Sequence, residues 1–230
     1  MTASKLAIIG SGVFLLLLTG IGIAHPSAVS RLGRSALRLG PPDSVPPGLV
    51  HEGDLVFQTS RSSQSAAVAM ATHSRLTHMG IIEIVDGRPE VLEAVKQVKR
   101  TPLEAWIARG EGGHVWIRRL RDASQALSPS VLGRMHSVGE DFIGRAYDVW
   151  FRWDDTRVYC SELVYKIYER GAGIRIGKLQ RAGDMDLASP AVQSKLRERF
   201  GPGTPFAPDE PVISPQAMFD DPRLVTVLER

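Results

Sequence analysis

The 230 residues contain a single cysteine, Cys160. A lone thiol excludes an internal disulfide framework and any cysteine-rich metal cluster. Net charge is scarce as well: 28 Lys and Arg stand against 25 Asp and Glu, a formal +3. The arginines are scattered without interleaved aromatics, so no nucleic-acid partner is expected. Nowhere do His, Asp and Glu fall at compact ligand spacing, which leaves zinc hydrolase chemistry unsupported and implies no metal or other cofactor. No repeat of solenoid length is present. What is present is ordinary globular material, 43% hydrophobic and 23% charged, enough for a sizeable core in one or two domains.

Long apolar runs are absent too, with one exception. Met1-Thr2-Ala3-Ser4-Lys5 leads into an uncharged run over residues 6–24, densest at Phe14-Leu15-Leu16-Leu17-Leu18. Gly22 and Ala24 are small residues at the −3 and −1 positions of a cleavage point before His25. The run is just long enough to span a bilayer as a helix. Residues 1–25 are therefore expected to be a cleaved signal peptide or an N-terminal membrane anchor. Either places the domain in the cell envelope, periplasmic or held at the inner membrane. Arg31, Arg34 and Arg38 follow the run, which leaves membrane orientation open. No cysteine follows it, so lipoprotein anchoring there is excluded. Residues 26–48 carry Pro26, Pro41, Pro42, Pro46 and Pro47 and read as a Pro/Arg-rich linker. The domain is expected over residues 49–230.

The stretch Val158-Tyr159-Cys160-Ser161-Glu162-Leu163-Val164-Tyr165-Lys166-Ile167-Tyr168-Glu169-Arg170-Gly171 organises that domain. After Cys160, the residues Leu163, Val164, Ile167 and Tyr168 recur at helical spacing and predict one buried face, with Gly171 as the stop. Cys160 is thus the expected first residue of a buried helix. The positive end of the helix macrodipole favours a thiolate there. Two readings stand side by side: an activated nucleophile, or a small buried hydrophobe.

Elsewhere, Gly53-Asp54-Leu55-Val56-Phe57-Gln58 reads as a strand, and residues 62–73 as an Ala-rich helix with Ser62 or Ser63 as N-cap. Residues 77–85 form an apolar strand, Asp86-Gly87 a turn, and residues 89–95 the returning strand of a hairpin. Thr101-Pro102-Leu103-Glu104 carries a capping box that opens a short helix to Arg109. Residues 114–120 alternate as a strand. Ser128-Pro129 opens a helix with Val131, Leu132, Met135, Val138 and Phe142 on one face. Ser189-Pro190 opens another to about Phe200, and a last element follows Ser214-Pro215.

A cysteine nucleophile needs a base to take its proton and a group to orient that base. His25 lies in the export segment and His51 ahead of the first strand. His73 and His136 occupy polar helix positions that read as surface, and His114 opens a strand. His78 stands at the mouth of an apolar strand beside Gly80, where packing alone would not place an imidazole. Glu93 stands inside Val91-Leu92-Glu93-Ala94-Val95, where burying a carboxylate is costly unless it is paired. Either Glu93 pairs with His78 across the hairpin, or it faces water from an edge strand. Asp148 reads as a loop-stabilising residue and Asp54 as a turn residue.

Five blocks together resemble the YiiX/YaeF-like permuted papain amidases, which belong to the NlpC-type cysteine hydrolases. They are Gly53-Asp54-Leu55-Val56-Phe57-Gln58; Thr77-His78-Met79-Gly80-Ile81; Leu92-Glu93-Ala94-Val95 with Thr101-Pro102-Leu103; Tyr147-Asp148; and Tyr159-Cys160-Ser161-Glu162-Leu163-Val164. The resemblance runs from about Gly53 to at least Gly173. It implies an α+β, circularly permuted papain-like fold, an antiparallel sheet packed with helices and the nucleophile at a helix N-terminus. Permutation puts His before Cys in the chain. It also implies a triad of Cys160 as nucleophile, His78 as base and acid, and Glu93 as orienter. The Cys160 N–H would meet the oxyanion, with the hydroxyl of Tyr147 or Tyr159 as second donor. The expected activity is amide hydrolysis through a Cys thioester, on a small peptide, amide or cell-wall fragment. The alternative is a lipid-directed thioesterase or acyltransferase of the lecithin-retinol acyltransferase type. The N-terminal segment would bring either one to a membrane.

Overall fold

The apolar runs around His78 and Glu93 become neighbouring strands of one antiparallel sheet. The computed structural model describes residues 44–186, 190–200 and 207–230. Its strands are β1 (Leu55–Gln58), β2 (His78–Val85), β3 (Arg88–Ala94), β4 (Val98–Pro102), β5 (Trp116–Leu120), β6 (Gln180–Arg181), β7 (Pro211–Val212) and β8 (Leu224–Glu229). Its helices are α1 (Ser63–Thr72), α2 (Leu103–Arg109), α3 (Ala123–Ala126), α4 (Pro129–Phe142), α5 (Cys160–Ile167), α6 (Pro190–Phe200) and α7 (Pro215–Phe219). The sheet order is β4-β3-β2-β1-β5-β8, and β6 pairs separately with β7. The tail element expected after Ser214-Pro215 is two elements, a short helix and an edge strand.

Both faces of the sheet are covered, which is why its central strands read as continuous apolar runs rather than alternating ones. Leu55, Phe57, Met79, Ile81, Leu92 and Ala94 join Met135, Phe142, Leu163, Val164, Ile167 and Tyr168 of α4, α5 and the turn after it in one core. Val56, Ile82 and Val91 join Leu103, Trp106 and Ile107 of α2 in a second. Side chains alternate across a strand, so His78 and Glu93 share the α2 side with Ile82 and Val91.

Three local expectations change. The capping box at Thr101 is not formed: Thr101 is paired within β4, opposite Val91, Pro102 both ends that strand and is the N-cap of α2, and no side chain caps it. Gly171 does not stop α5. That helix runs on into a π-helical turn, Tyr168–Ala172, which ends at Gly173 in the left-handed region (φ 72°). Gly171 is a close-approach glycine instead, since a Cβ there would lie 2.5 Å from the Met135 Cα. Asp54 is more than a turn residue: buried, it accepts the His51 N–H at 2.8 Å and both Arg119 Nε and Nη2, at 2.6 and 2.7 Å.

No helix among the described residues is long and apolar enough to cross a membrane. The apolar run over residues 6–24, the cleavage point before His25 and nearly all of the linker lie outside the described residues.

Candidate active site

Cys160 opens α5, as its spacing predicts, and its two neighbours hold that position. Tyr159, the N-cap, is in extended backbone, and its N–H donates to Glu162 Oε2 at 3.2 Å. The Tyr159 hydroxyl accepts the Ile213 N–H at 3.1 Å, while Ser161 Oγ donates to the Ile213 carbonyl at 2.7 Å. Ile213, the residue after β7, is thus held through both its N–H and its carbonyl by the two neighbours of Cys160, which ties the start of α5 to that segment.

Deeper in α5, Glu162 and Lys166 form a buried pair at 2.6 Å. Lys166 Nζ also donates to the Asp154 carbonyl at 2.6 Å and to Asp155 at 2.9 Å. The polar loop ahead of Cys160 is thereby fixed to the helix it precedes. Asp148 caps the other end of that loop, accepting the N–H groups of Trp150 at 2.8 Å and Arg152 at 2.6 Å.

His78 is the first residue of β2, directly opposite Gln58 of β1. The hairpin register pairs Ile81 with Leu92, which sets Glu93 diagonally from His78 on the same face. His78 Nε2 and Glu93 Oε2 are 2.6 Å apart, which leaves Nδ1 as the other ring nitrogen, and the Cys160 thiol is close enough to His78 to favour its protonated form. Gly80 makes room for this geometry: a Cβ there would sit 2.4 Å from Val91 Cγ1 and 2.9 Å from the Leu92 carbonyl.

Glu93 is fully buried and more heavily partnered than the sequence suggested. Thr101 Oγ1 donates to its Oε1 at 2.7 Å, Trp106 Nε1 to its Oε2 at 2.9 Å, and Arg109 Nη2 also reaches Oε2. Trp106 stacks beside the imidazole, with centroids 5.8 Å apart and planes 27° apart. These three residues were not among the expected site residues. The signal for two of them is their i, i+3 spacing on α2, which puts Trp106 and Arg109 on one helix face.

Electrostatics follow from this packing. Burial pulls the imidazolium of His78 down, but the hydrogen bonds and negative charge of Cys160 and Glu93 outweigh it and raise its pKa to about 9. Burial likewise opposes the charge of Glu93, yet His78, Arg109 and Thr101 hold its carboxyl at about 2. Cys160 is only 4% exposed. Burial lifts the Tyr159 phenol well above the usual tyrosine range.

Beside Cys160 opens a cavity of about 80 Å³ whose walls include Tyr147, Phe151, Tyr159, Ser161 and Ile213. Tyr147 is half-buried there, edge-on to Phe151 at 6.4 Å. Tyr147 and Tyr159, whose hydroxyls were the expected second donors, therefore line the same cavity as Cys160. The other expected exclusions stand apart: His51, His73, His114 and His136 are all on the surface.

Residues 49–228 match the family model of the permuted papain-like amidase enzymes, YaeF/YiiX, C92 family. The chain belongs to that family. It is 45% identical over 175 residues to the uncharacterized protein YiiX of Escherichia coli K12, covering 76% of this chain and 84% of that protein. The crystal structure of yiiX from Escherichia coli O157:H7, there described as a metalloprotein, matches with a TM-score of 0.73 and 43% identity, over 78% of this chain and 97% of that one. The fold is the permuted papain-like α+β fold, with an antiparallel sheet packed with helices, and family membership makes the chain a cysteine hydrolase of the amidase and peptidase type.

Proposed function

We propose that the chain cleaves an amide bond through a thioester on Cys160, with His78 moving the proton and Glu93 orienting His78. One observation supports this above all: the His78 imidazole is held 2.6 Å from a fully buried carboxylate by its Nε2 and is close enough to the Cys160 thiol to interact with it. A nucleophile, a base and an orienter in that order are what acyl transfer requires.

The thiolate attacks the amide carbonyl carbon, and the oxyanion that forms is met by the Cys160 N–H at the start of α5. A hydroxyl of Tyr147 or Tyr159 is the second donor. As the intermediate collapses, the C–N bond breaks and the leaving nitrogen takes the proton that His78 carries. Water then adds to the thioester, giving its proton to the neutral imidazole, and the carboxylic acid leaves as the thiolate returns. Glu93, anchored by Thr101, Trp106 and Arg109, keeps Nε2 engaged throughout, so Nδ1 stays aimed at sulfur.

No step runs through a metal. Nε2 of His78 is engaged by the Glu93 carboxylate, both oxygens of that carboxylate already accept from protein donors, and among the described residues no three His, Cys, Asp or Glu side chains converge. These residues do not fit a resident ion. We place the reaction in the cell envelope, on small peptides, amides or cell-wall fragments, because the apolar run after Lys5 has the form of an export or anchoring segment.

The test is to incubate the chain and its Cys160→Ala variant with cell-wall fragments and with small amides. Released amines and protein-bound acyl groups are then followed by mass spectrometry. Loss of both products in the variant, with an unchanged circular dichroism spectrum, is expected. Turnover that survives the substitution would refute the assignment of Cys160.

A further inference from the structure

We infer that Arg109 binds a carboxylate on the leaving half of the substrate, so that the amide cleaved is one whose amine half departs as an amino acid. This rests on the reading of Cys160 as nucleophile and His78 as proton donor, and it names the substrate class of that site. Arg109, in the last turn of α2, holds Glu93 through Nη2 alone. Its side chain is 40% exposed, and among the described residues its Nε and Nη1 have no partner. A planar guanidinium with donors left over and open to solvent suits a carboxylate. Glu93 does not neutralise it, because the same oxygen also serves His78, whose pKa is raised to about 9. One buried carboxylate thus stands between two cations.

Position assigns Arg109 to the leaving half. The leaving nitrogen must come to His78 to be protonated. His78 and Arg109 meet at Glu93 Oε2, which sets the guanidinium on the order of 5 Å from the imidazole. In an amino acid the α-carboxylate carbon stands about 2.5 Å from the nitrogen. A charge-assisted hydrogen bond spans about 2.8 Å more, a reach of the same size. The end of the sheet that carries His78 is also cationic. Ser60 bridges Gly110, Thr59 Oγ1 donates to the Arg75 carbonyl at 2.8 Å, and the Tyr147 N–H donates to the Lys96 carbonyl at 3.1 Å. These links bring the exposed Arg61, Arg75 and Lys96 to the same end as Arg109. Among residues 59–61, 74–77, 95–97 and 109–113 the one acid is Glu111. Such a rim draws an anionic substrate half toward the triad.

The experiment compares the full chain on acetyl-alanyl-alanine and on its C-terminal amide, with released alanine or alaninamide as the product followed. The value of kcat/KM is expected to favour the acid roughly ten- to a hundredfold. Arg109→Gln should bring that ratio close to one, with the acid losing far more than the amide. Arg109→Lys, which keeps the charge, should keep a preference for the acid. An arginine that only anchors Glu93 would lower both substrates equally. A ratio near one in the wild-type chain, or a ratio that Arg109→Gln leaves in place, would overturn the proposal. Equilibrium binding of the two peptides to Cys160→Ala separates the two layers of inference. If the acid binds more tightly and the added Arg109→Gln abolishes the difference, yet the wild-type chain never forms a thioester, the carboxylate site stands and the nucleophile assignment fails. If the thioester forms while neither binding nor turnover depends on the carboxylate, the site fails and the nucleophile stands. With neither a thioester nor a preference in binding, both fail.

Discussion

Glu93 carries two opposing demands at the scale of a single residue. It is buried, which penalises its charge, and it receives four donors, which restore that charge. Its negative charge in turn helps keep His78 protonated up to about pH 9. The alkaline limb of kcat/KM should therefore lie near pH 9, where His78 loses the proton it gives to the leaving group. Glu93→Gln keeps an acceptor but removes the charge. It should lower kcat/KM by about 10²–10⁴-fold and move the limb to lower pH, both readable in one pH–rate series. An unmoved limb would assign it to another group. Alkylation of Cys160 by iodoacetamide at neutral pH should likewise slow in His78→Ala, since the thiolate loses its cationic partner. Arg109→Gln tests whether the anchoring of Glu93 matters through His78. It should depress the rate severalfold and shift the same limb, whereas a merely structural arginine would leave the limb in place.

At the scale of elements, the local parts of the site were legible and the long-range parts were not. The hairpin could be read because its turn is two residues long, and a short turn fixes which side chains meet across it. That alone brought Glu93 near His78. The start of α5 at Cys160 could be read because apolar spacing and the preceding polar loop agree. By contrast, β4 sets two successive charged residues, Lys99 and Arg100, between buried Val98 and Thr101 and ends in Pro102. Such an edge strand resembles a loop with a helix cap, so Thr101 was taken for a capping residue rather than a donor to Glu93. Lys166 lies off the apolar face marked by Leu163, Val164, Ile167 and Tyr168, yet it is 1% exposed, because Glu162 and the loop at Asp154-Asp155 enclose it. Gly171 was read for its backbone when its missing side chain mattered. Gly171→Ala should cost about 1–3 kcal/mol, because its Cβ would strike the backbone of Met135 in α4. Gly133→Ala, in the same helix α4 but facing open space, should instead stabilise by up to about 1 kcal/mol. Thermal midpoints moving in opposite directions would verify the pair; equal shifts would contradict it.

For the molecule as a whole, buried ionisable groups set the pH range in which the fold is most stable. Glu93 and Asp221 are both held at about 2, Asp221 by Arg223 and the Gly177 N–H against the opposing effect of burial. Groups lowered on folding contribute stability above their unfolded pKa, and that contribution is lost as pH falls through the folded value. The acid side should therefore weaken from about pH 4.5 toward 2. His78 and Glu162 act in the other direction. Burial raises Glu162 to about 8 despite Lys166 2.6 Å away, and His78 stands at about 9. A group raised on folding contributes fully below its unfolded pKa and loses that contribution as pH rises through the folded one. For Glu162 the loss runs from 4.5 to about 8, and for His78 from 6.5 to about 9. Together the four groups place maximal stability at roughly pH 4.5–5, on the acid side of neutrality. Thermal midpoints measured from pH 3 to 9 should peak there and fall on both sides. Glu162→Gln cannot ionise, so it should flatten the decline between pH 5 and 8 while leaving the acid limb unchanged. A midpoint that climbs steadily from pH 5 to 9 would mean that Glu162 ionises freely in the fold and that Lys166 outweighs its burial.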